Sequence, residues 1–229
     1  MKSRLQEIND EFKRNGIILK EELDDSKKYV LQDSVTNQFM KVEDVNGNKY
    51  LVRINGKLWP PFTGEGENYN LNQLRENNID TNVIVNNNKL GFQICHLSEE
   101  NNKFSESTMS IKTDSLNKIA REIKKFHRIS DFKNHYPIAG TIDNSLKRVP
   151  TPEQNKLSTY HMLILSMLDT INSDQKNMVS AHNDLLPSSI YIEKNKISFV
   201  DWEYSAQNHR GYDLALFSDP LQIGLYNQL

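Results

Sequence analysis

One cysteine, Cys95, stands in a chain of 229 residues, which excludes an intramolecular disulfide, and no cysteine–histidine cluster has zinc-site spacing. Long apolar runs are lacking too. The most apolar stretch, 162–168, is broken by Ser166 and falls far short of the roughly 20 residues a membrane-spanning helix needs. The opening MKSRLQEINDEFKRNG is too polar for a signal peptide. Neither sign of charge dominates: 28 Lys and Arg against 30 Asp and Glu leave a net charge of -2, which gives no electrostatic reason to expect nucleic acid or a membrane surface as partner. No internal repeat or long low-complexity linker stands out. The remaining 37% hydrophobic and 25% charged content suits a soluble globular protein of one domain or two small lobes. Together these absences point to a cytoplasmic protein.

The densest chemistry lies in 179–215. Ile190, Tyr191 and Ile192 are apolar and β-prone, 193–196 is a polar turn, and 197–200 resumes the β pattern, which reads as a hairpin. The hairpin leaves a polar loop holding His182, Asn183 and Asp184 and returns to Asp201, so a tight turn should bring the two carboxylates to one small site. Two acids so placed can divide the work of kinase-type phosphoryl transfer. One orients and deprotonates a hydroxyl, and the other holds Mg²⁺ on a nucleotide's phosphates. Either could instead serve only its own turn, where aspartate is common.

His-Asn-Asp-Leu-Leu at 182–186, the strand pair, Val-Asp-Trp-Glu-Tyr at 200–204 and Arg-Gly-Tyr-Asp-Leu-Ala at 210–215 together resemble the choline/ethanolamine kinase family, relatives of the aminoglycoside phosphotransferases within the protein-kinase-like fold. The resemblance implies a two-lobed α+β fold, with a small antiparallel-sheet N-lobe over 1–97 and a mainly helical C-lobe over 98–229. It also implies ATP and Mg²⁺ as cofactors, Asp184 as the catalytic base and Asp201 as a metal ligand, with His182 holding the loop. The family has asparagine where this chain has Ser189. A serine hydroxyl is a shorter neutral oxygen ligand, which leaves three outcomes open: a weakly held second metal, a water in the gap, or lost turnover.

Further N-terminal, Leu5, Ile8 and Phe12 recur at helical spacing before Gly16. A strand pattern starts at Tyr29, and Asn46-Gly47 between the apolar runs 39–42 and 50–54 signals a hairpin with a type I′ turn. The loop Ser34-Val35-Thr36-Asn37 is similar to the family's phosphate-covering loop, with Ser34 in its glycine position, so Ser34, Thr36 and Asn37 become nucleotide candidates. Arg53 on the second strand suits bidentate contact with phosphate oxygens, and the resemblance pairs it with Glu67, at the start of a helix carrying Leu71 and Leu74. Both could equally be an edge arginine and a first-turn acid. A further hairpin over 83–97 completes the sheet and ends where kinase-like folds bind adenine, which nominates Ile94 and His96.

Residues 98–113 read as loop. Leu116, Ile119, Ile123 and Phe126 then mark an amphipathic helix whose basic face is solvated. A second helix over about 152–171 is expected to be buried nearly all round, with His161 packed inside it. For an ammonium group the available aromatics and acid are Trp202, Glu203, Tyr204 and Tyr212, although Trp202 and Tyr212 could equally be core. The stretch 216–229 leaves room for only a few helical turns, so the helices that carry much of the family's amine pocket are expected to be missing. The resulting expectation is ATP-dependent phosphorylation of a small amino alcohol, choline or ethanolamine. Aminoglycoside or thiamine kinases and a catalytically silent nucleotide-binding protein are the alternatives, and homo-oligomerisation is left open.

Overall fold

The computed structural model describes residues 3–26, 32–33, 37–56, 64–98, 104, 113–130, 132–193 and 196–218. Helix α1 (Arg4–Arg14) begins at a capping box, with Ser3 Oγ accepting the Gln6 N–H at 3.2 Å and Gln6 Oε1 accepting the Ser3 N–H at 3.0 Å. It stops before Gly16, left-handed at φ 71°. The strands β1 (Gln32–Asp33), β2 (Asn37–Glu43), β3 (Lys49–Asn55), β4 (Val83–Asn87) and β5 (Phe92–His96) form one antiparallel sheet in the order β1-β2-β3-β5-β4. Strand alternation then divides the side chains. Met40, Tyr50, Val52, Phe92 and Ile94 pack with Ile8 and Phe12 of α1 into a first core, while Arg53, opposite both Phe39 and Gln93, lies on the other face.

The β2–β3 connection departs from the expected type I′ turn. Gly47 alone in the turn 44–48 has positive φ, at 86°. Asp44 organises the loop: its Oδ1 accepts the N–H groups of Asn46 and Asn48, and its Oδ2 accepts Tyr50 OH. A buried carboxylate that can accept three donors removes the need for the mirror-image turn.

Helix α2 (Gly64–Glu76) precedes β4. Beyond the sheet come α3 (Thr113–Phe126), α4 (Ile138–Leu146), α5 (Thr151–Ser173), β6 (Met178–Ala181), β7 (Ile190–Glu193), β8 (Lys196–Phe199), β9 (Ala206–His209) and α6 (Arg210–Ser218). β6 pairs with β9 and β7 with β8, both antiparallel. A second core gathers Ile119, Ile123 and Phe126 of α3 with Ile190, Phe199, Trp202 and Phe217, and it includes Leu71 and Leu74 of α2 and Ile79. Packing therefore does not follow chain order at residue 97, because α2 buries its apolar face with the later residues.

Two expectations change here. Helix α5 spans the expected residues but is not buried nearly all round: Tyr160, Met162, Leu163 and Met167 are more than half exposed, and Leu168 is its one fully buried large side chain among those described. Among the described elements its main contact is with the short α4, too small to cover it, and His161 reaches Asp143 Oδ1 at 2.7 Å rather than sitting in a core. None of the described helices is long and apolar enough to cross a membrane.

Candidate active site

Strand β6 leads into a loop held by one carboxylate. Asp213, fully buried in the first turn of α6, accepts the N–H groups of His182 at 2.9 Å and Asn183 at 2.8 Å, and lies 2.9 Å from His127 Nε2. Two consecutive amides on one anion fix the direction of the loop, since charge-assisted bonds are roughly twice as strong as neutral ones. Asn183 is left-handed, φ 66°, which asparagine tolerates. Its amide donates to Tyr204 O at 2.9 Å, and its Oδ1 accepts from Asn208 Nδ2 at 2.7 Å. His182 Nε2 lies 2.9 Å from Val200 O, and its Nδ1 accepts the Asp184 N–H at 3.2 Å. Those two bonds require a neutral ring protonated on Nε2, and burial lowers its pKa accordingly. Both nitrogens are committed, so the ring ties loop to hairpin and has none left for proton transfer.

The Val200 N–H donates to Ser189 O at 3.0 Å and closes the hairpin's open end. Asp201 follows, left-handed at φ 68°. Its side chain keeps access to solvent, yet the enclosing protein desolvates the carboxyl. Glu203, Asp184 and Glu67 add to that effect and Arg53 opposes it, so the group is pushed up to about 7. Asp184 is half-buried and also raised, by burial first and then by the charge of Asp213. Because the charge of Asp184 is felt at Asp201, the two acids share one electrostatic site.

An oxygen site crowded by like charge suits a hard divalent cation. Among the described residues no group of three His, Cys, Asp or Glu side chains is placed to hold a metal ion. A Mg²⁺ on Asp201 would therefore complete its shell with phosphate oxygens and water. Ser189, the expected second ligand, is buried, and its Oγ donates to Asp184 O at 3.3 Å. In this arrangement the short serine braces the loop.

On the sheet face opposite the first core, Arg53 Nη2 and Glu67 Oε2 are 2.6 Å apart, with 4% and 2% side-chain exposure. Gln93 Nε2 donates to Glu67 Oε1 at 3.2 Å, and Arg53 Nε to Asn55 Oδ1 at 3.1 Å. The buried pair is satisfied on both sides, which a desolvated ion pair needs. Cys95 lies beside it, its thiol pushed up to about 12 by burial, which makes it an inert neighbour rather than a nucleophile.

Several expected nucleotide and substrate residues are placed otherwise. Ser34 and Thr36 lie outside the described residues. The amide of Asn37 is committed to Glu203 Oε2 at 2.6 Å, so Glu203, expected near the substrate, joins the sheet to the 3₁₀ turn Trp202–Tyr204 instead. Ile94, 1% exposed, points into the first core, and the ring of His96 packs on Tyr50 on that same face. Strand parity turns both away from Arg53. Trp202 is 1% exposed, donates Nε1–H to Phe199 O at 2.8 Å and packs edge-on to Phe126, which leaves no face for a ligand. Tyr204 stays half-buried.

The structure adds Tyr136, which the sequence did not single out. Its ring lies 5.2 Å from that of Tyr212. Burial, a hydrogen bond to Tyr136 and the charge of Asp184 all raise the Tyr212 hydroxyl's pKa, so this half-buried pair borders the acidic loop. Asp213 belonged to the Tyr-Asp-Leu-Ala string but had no assigned role, because its partners are backbone amides some 30 residues earlier.

A profile of the Choline/ethanolamine kinase family matches residues 29–221. A probable ethanolamine kinase of Arabidopsis thaliana is 26% identical over 223 residues, covering 84% of this chain and 56% of the relative. The chain thus spans about half the length of that protein. The crystal structure of choline kinase LicA from Streptococcus pneumoniae superposes with a TM-score of 0.72 at 18% identity, over 98% of this chain and 77% of that one. A spectinomycin phosphotransferase bound to ADP and spectinomycin gives 0.56 at 11% identity, over 93% of this chain and 73% of that one. Both likenesses show the fold, a protein-kinase-like phosphotransferase architecture.

Proposed function

Because the chain belongs to the choline/ethanolamine kinase family, we propose that it transfers the γ-phosphoryl group of ATP to the hydroxyl of choline or ethanolamine. The observation that carries the reading is the hairpin that brings Asp184 and Asp201 to one end, closed by Val200 N–H to Ser189 O at 3.0 Å and tied to the loop by His182 Nε2 at 2.9 Å from Val200 O. Asp184, ionised, accepts the hydroxyl proton as the alcohol oxygen bonds to the γ-phosphorus. The bond from that phosphorus to the β–γ bridging oxygen breaks, and ADP leaves. Asp184 needs a fixed direction for this, which the Asp213 bonds to the two preceding amides supply. Arg53, held by Glu67, offers a pre-oriented cation to phosphate oxygens. Asp201 would hold a Mg²⁺ ion, which would supply neutralisation of the phosphate charge. With Trp202 buried, Tyr136, Tyr204 and Tyr212 are the aromatic faces left for an ammonium group.

The test is ADP release with choline, ethanolamine and an aminoglycoside as acceptors. Transfer to one of the amino alcohols is expected, and Asp184→Asn should lower it by about 10²–10⁴-fold while ATP still shifts the melting temperature. Release with the aminoglycoside alone would replace the substrate class. Nucleotide binding without release on any acceptor would mark a silent binding protein, the reading that Ser189 favours.

A further inference from the structure

We infer that Asn70 is a positioning residue that fixes α2 to the C-terminal core and thereby registers Arg53 against the Asp201 turn. Asn70 is completely buried. Its Nδ2 donates to Ser205 O at 2.9 Å and to Ser205 Oγ at 3.1 Å, and its Oδ1 accepts the Lys133 N–H at 2.8 Å. One side chain thus joins three segments distant in sequence. Ser205 closes the 3₁₀ turn that begins directly after Asp201, its N–H donating to Trp202 O at 3.0 Å. Lys133 makes a second tie, with Nζ 4.7 Å from the centroid of the Tyr69 ring on α2.

Apolar packing points the same way. Leu71 and Leu74 of α2 are buried with Phe126, Ile190 and Phe199, whereas the sheet buries its apolar face under α1 in a separate core. The sheet meets α2 through polar bonds at Glu67, from Arg53 and Gln93, and adds the partly buried Val83 of β4 at the margin of the second core. Glu67 stands three residues before Asn70, one turn away on a neighbouring part of the helix surface. The joint between the two packed bodies therefore runs between α2 and the sheet. Asn37 to Glu203, at 2.6 Å, crosses the same joint onto the same turn. With α2 pinned to the metal-side turn, the direction in which Glu67 presents Arg53 to a nucleotide is set by the C-terminal core.

The kinetic part of the test rests on the phosphotransfer reading; the exchange part does not. Asn70→Ala should speed amide exchange across 64–76 and 202–205 about tenfold or more, the scale of one to two lost buried hydrogen bonds, with β2 and β3 unchanged. It should weaken ADP binding by calorimetry by a similar factor while the KM of the accepted alcohol stays within about twofold. Asn70→Asp, which keeps the acceptor for Lys133 and loses the donor to Ser205, serves if the alanine variant does not fold, with the same changes expected. Unchanged α2 exchange and ADP affinity in a folded variant would overturn the inference. Equal loosening of α2 and the sheet would also overturn it, as a merely structural effect. Wild-type protein that phosphorylates no amino alcohol would remove the substrate assignment, and the exchange comparison would still decide the role of Asn70.

Discussion

Desolvation and the charge of Glu203 push the Asp201 carboxyl up to about 7, against roughly 3.9 in an unfolded chain. The folded state therefore binds more protons than the unfolded state between about pH 4 and 7, and stability falls as pH rises through that window. Asp201→Asn removes the repulsion among Asp201, Glu203, Asp184 and Glu67. The metal-free variant should melt about 2–4 °C higher than wild type at pH 8, the shift expected of roughly 1 kcal/mol in a chain of this size, and no higher at pH 4. Scanning calorimetry at the two pH values checks this, and added Mg²⁺ with nucleotide should narrow the gap by restoring a counter-charge to wild type. Asp184, Asp201, Arg53 and Glu67 were legible because each is a charged residue in a recognisable string or strand. Ile94, His96 and Trp202 were not, since which way a strand or turn residue points depends on register and on what covers it.

Trp202, which its sequence left open between a ligand face and the core, lies in the core, whereas α5, expected to be buried nearly all round, is largely exposed. Trp202, one of two tryptophans, is packed edge-on to Phe126 and Phe199, so Trp202→Ala should cost about 3–5 kcal/mol in denaturant unfolding, and Trp202→Phe should leave the acceptor KM unchanged. Met167, 54% exposed on α5, should tolerate Met167→Gln within about 0.5 kcal/mol by the same measurement. A large loss there would mean that the helix is covered after all. Elements with strong local signals were readable in advance: α1 from the spacing of Leu5, Ile8 and Phe12 and its stop glycine, and β7–β8 from apolar runs around a polar turn. Helix α4 (IAGTIDNSL) and strand β9 (AQNH) have weak propensity. The latter exists as a strand because β6 offers it a pairing edge.

Two packed bodies meeting along polar bonds should open separately. Phe126→Ala is expected to speed amide exchange in α2, β7 and β8 while leaving β2 and β3 protected, and Phe12→Ala to do the reverse. Exchange that rises uniformly in both variants would indicate one cooperative core. The kinase-like class was available from the sequence through resemblance, because the His-Asn-Asp loop, the hairpin and the Asp201 turn follow one another in the order the family shows. Family membership follows from the same strings. The assignment of α2 to the second core, the pairing of Tyr136 with Tyr212, and the commitment of Asn37, Glu203 and Ser189 to bracing bonds were decided by tertiary structure alone. Ser189 braces Asp184 only five residues earlier; the other partners lie tens of residues away or more, for Asn37 and Glu203 across 166 positions. A side chain's choice among distant donors and acceptors is made only when the packed chain brings them within hydrogen-bond reach.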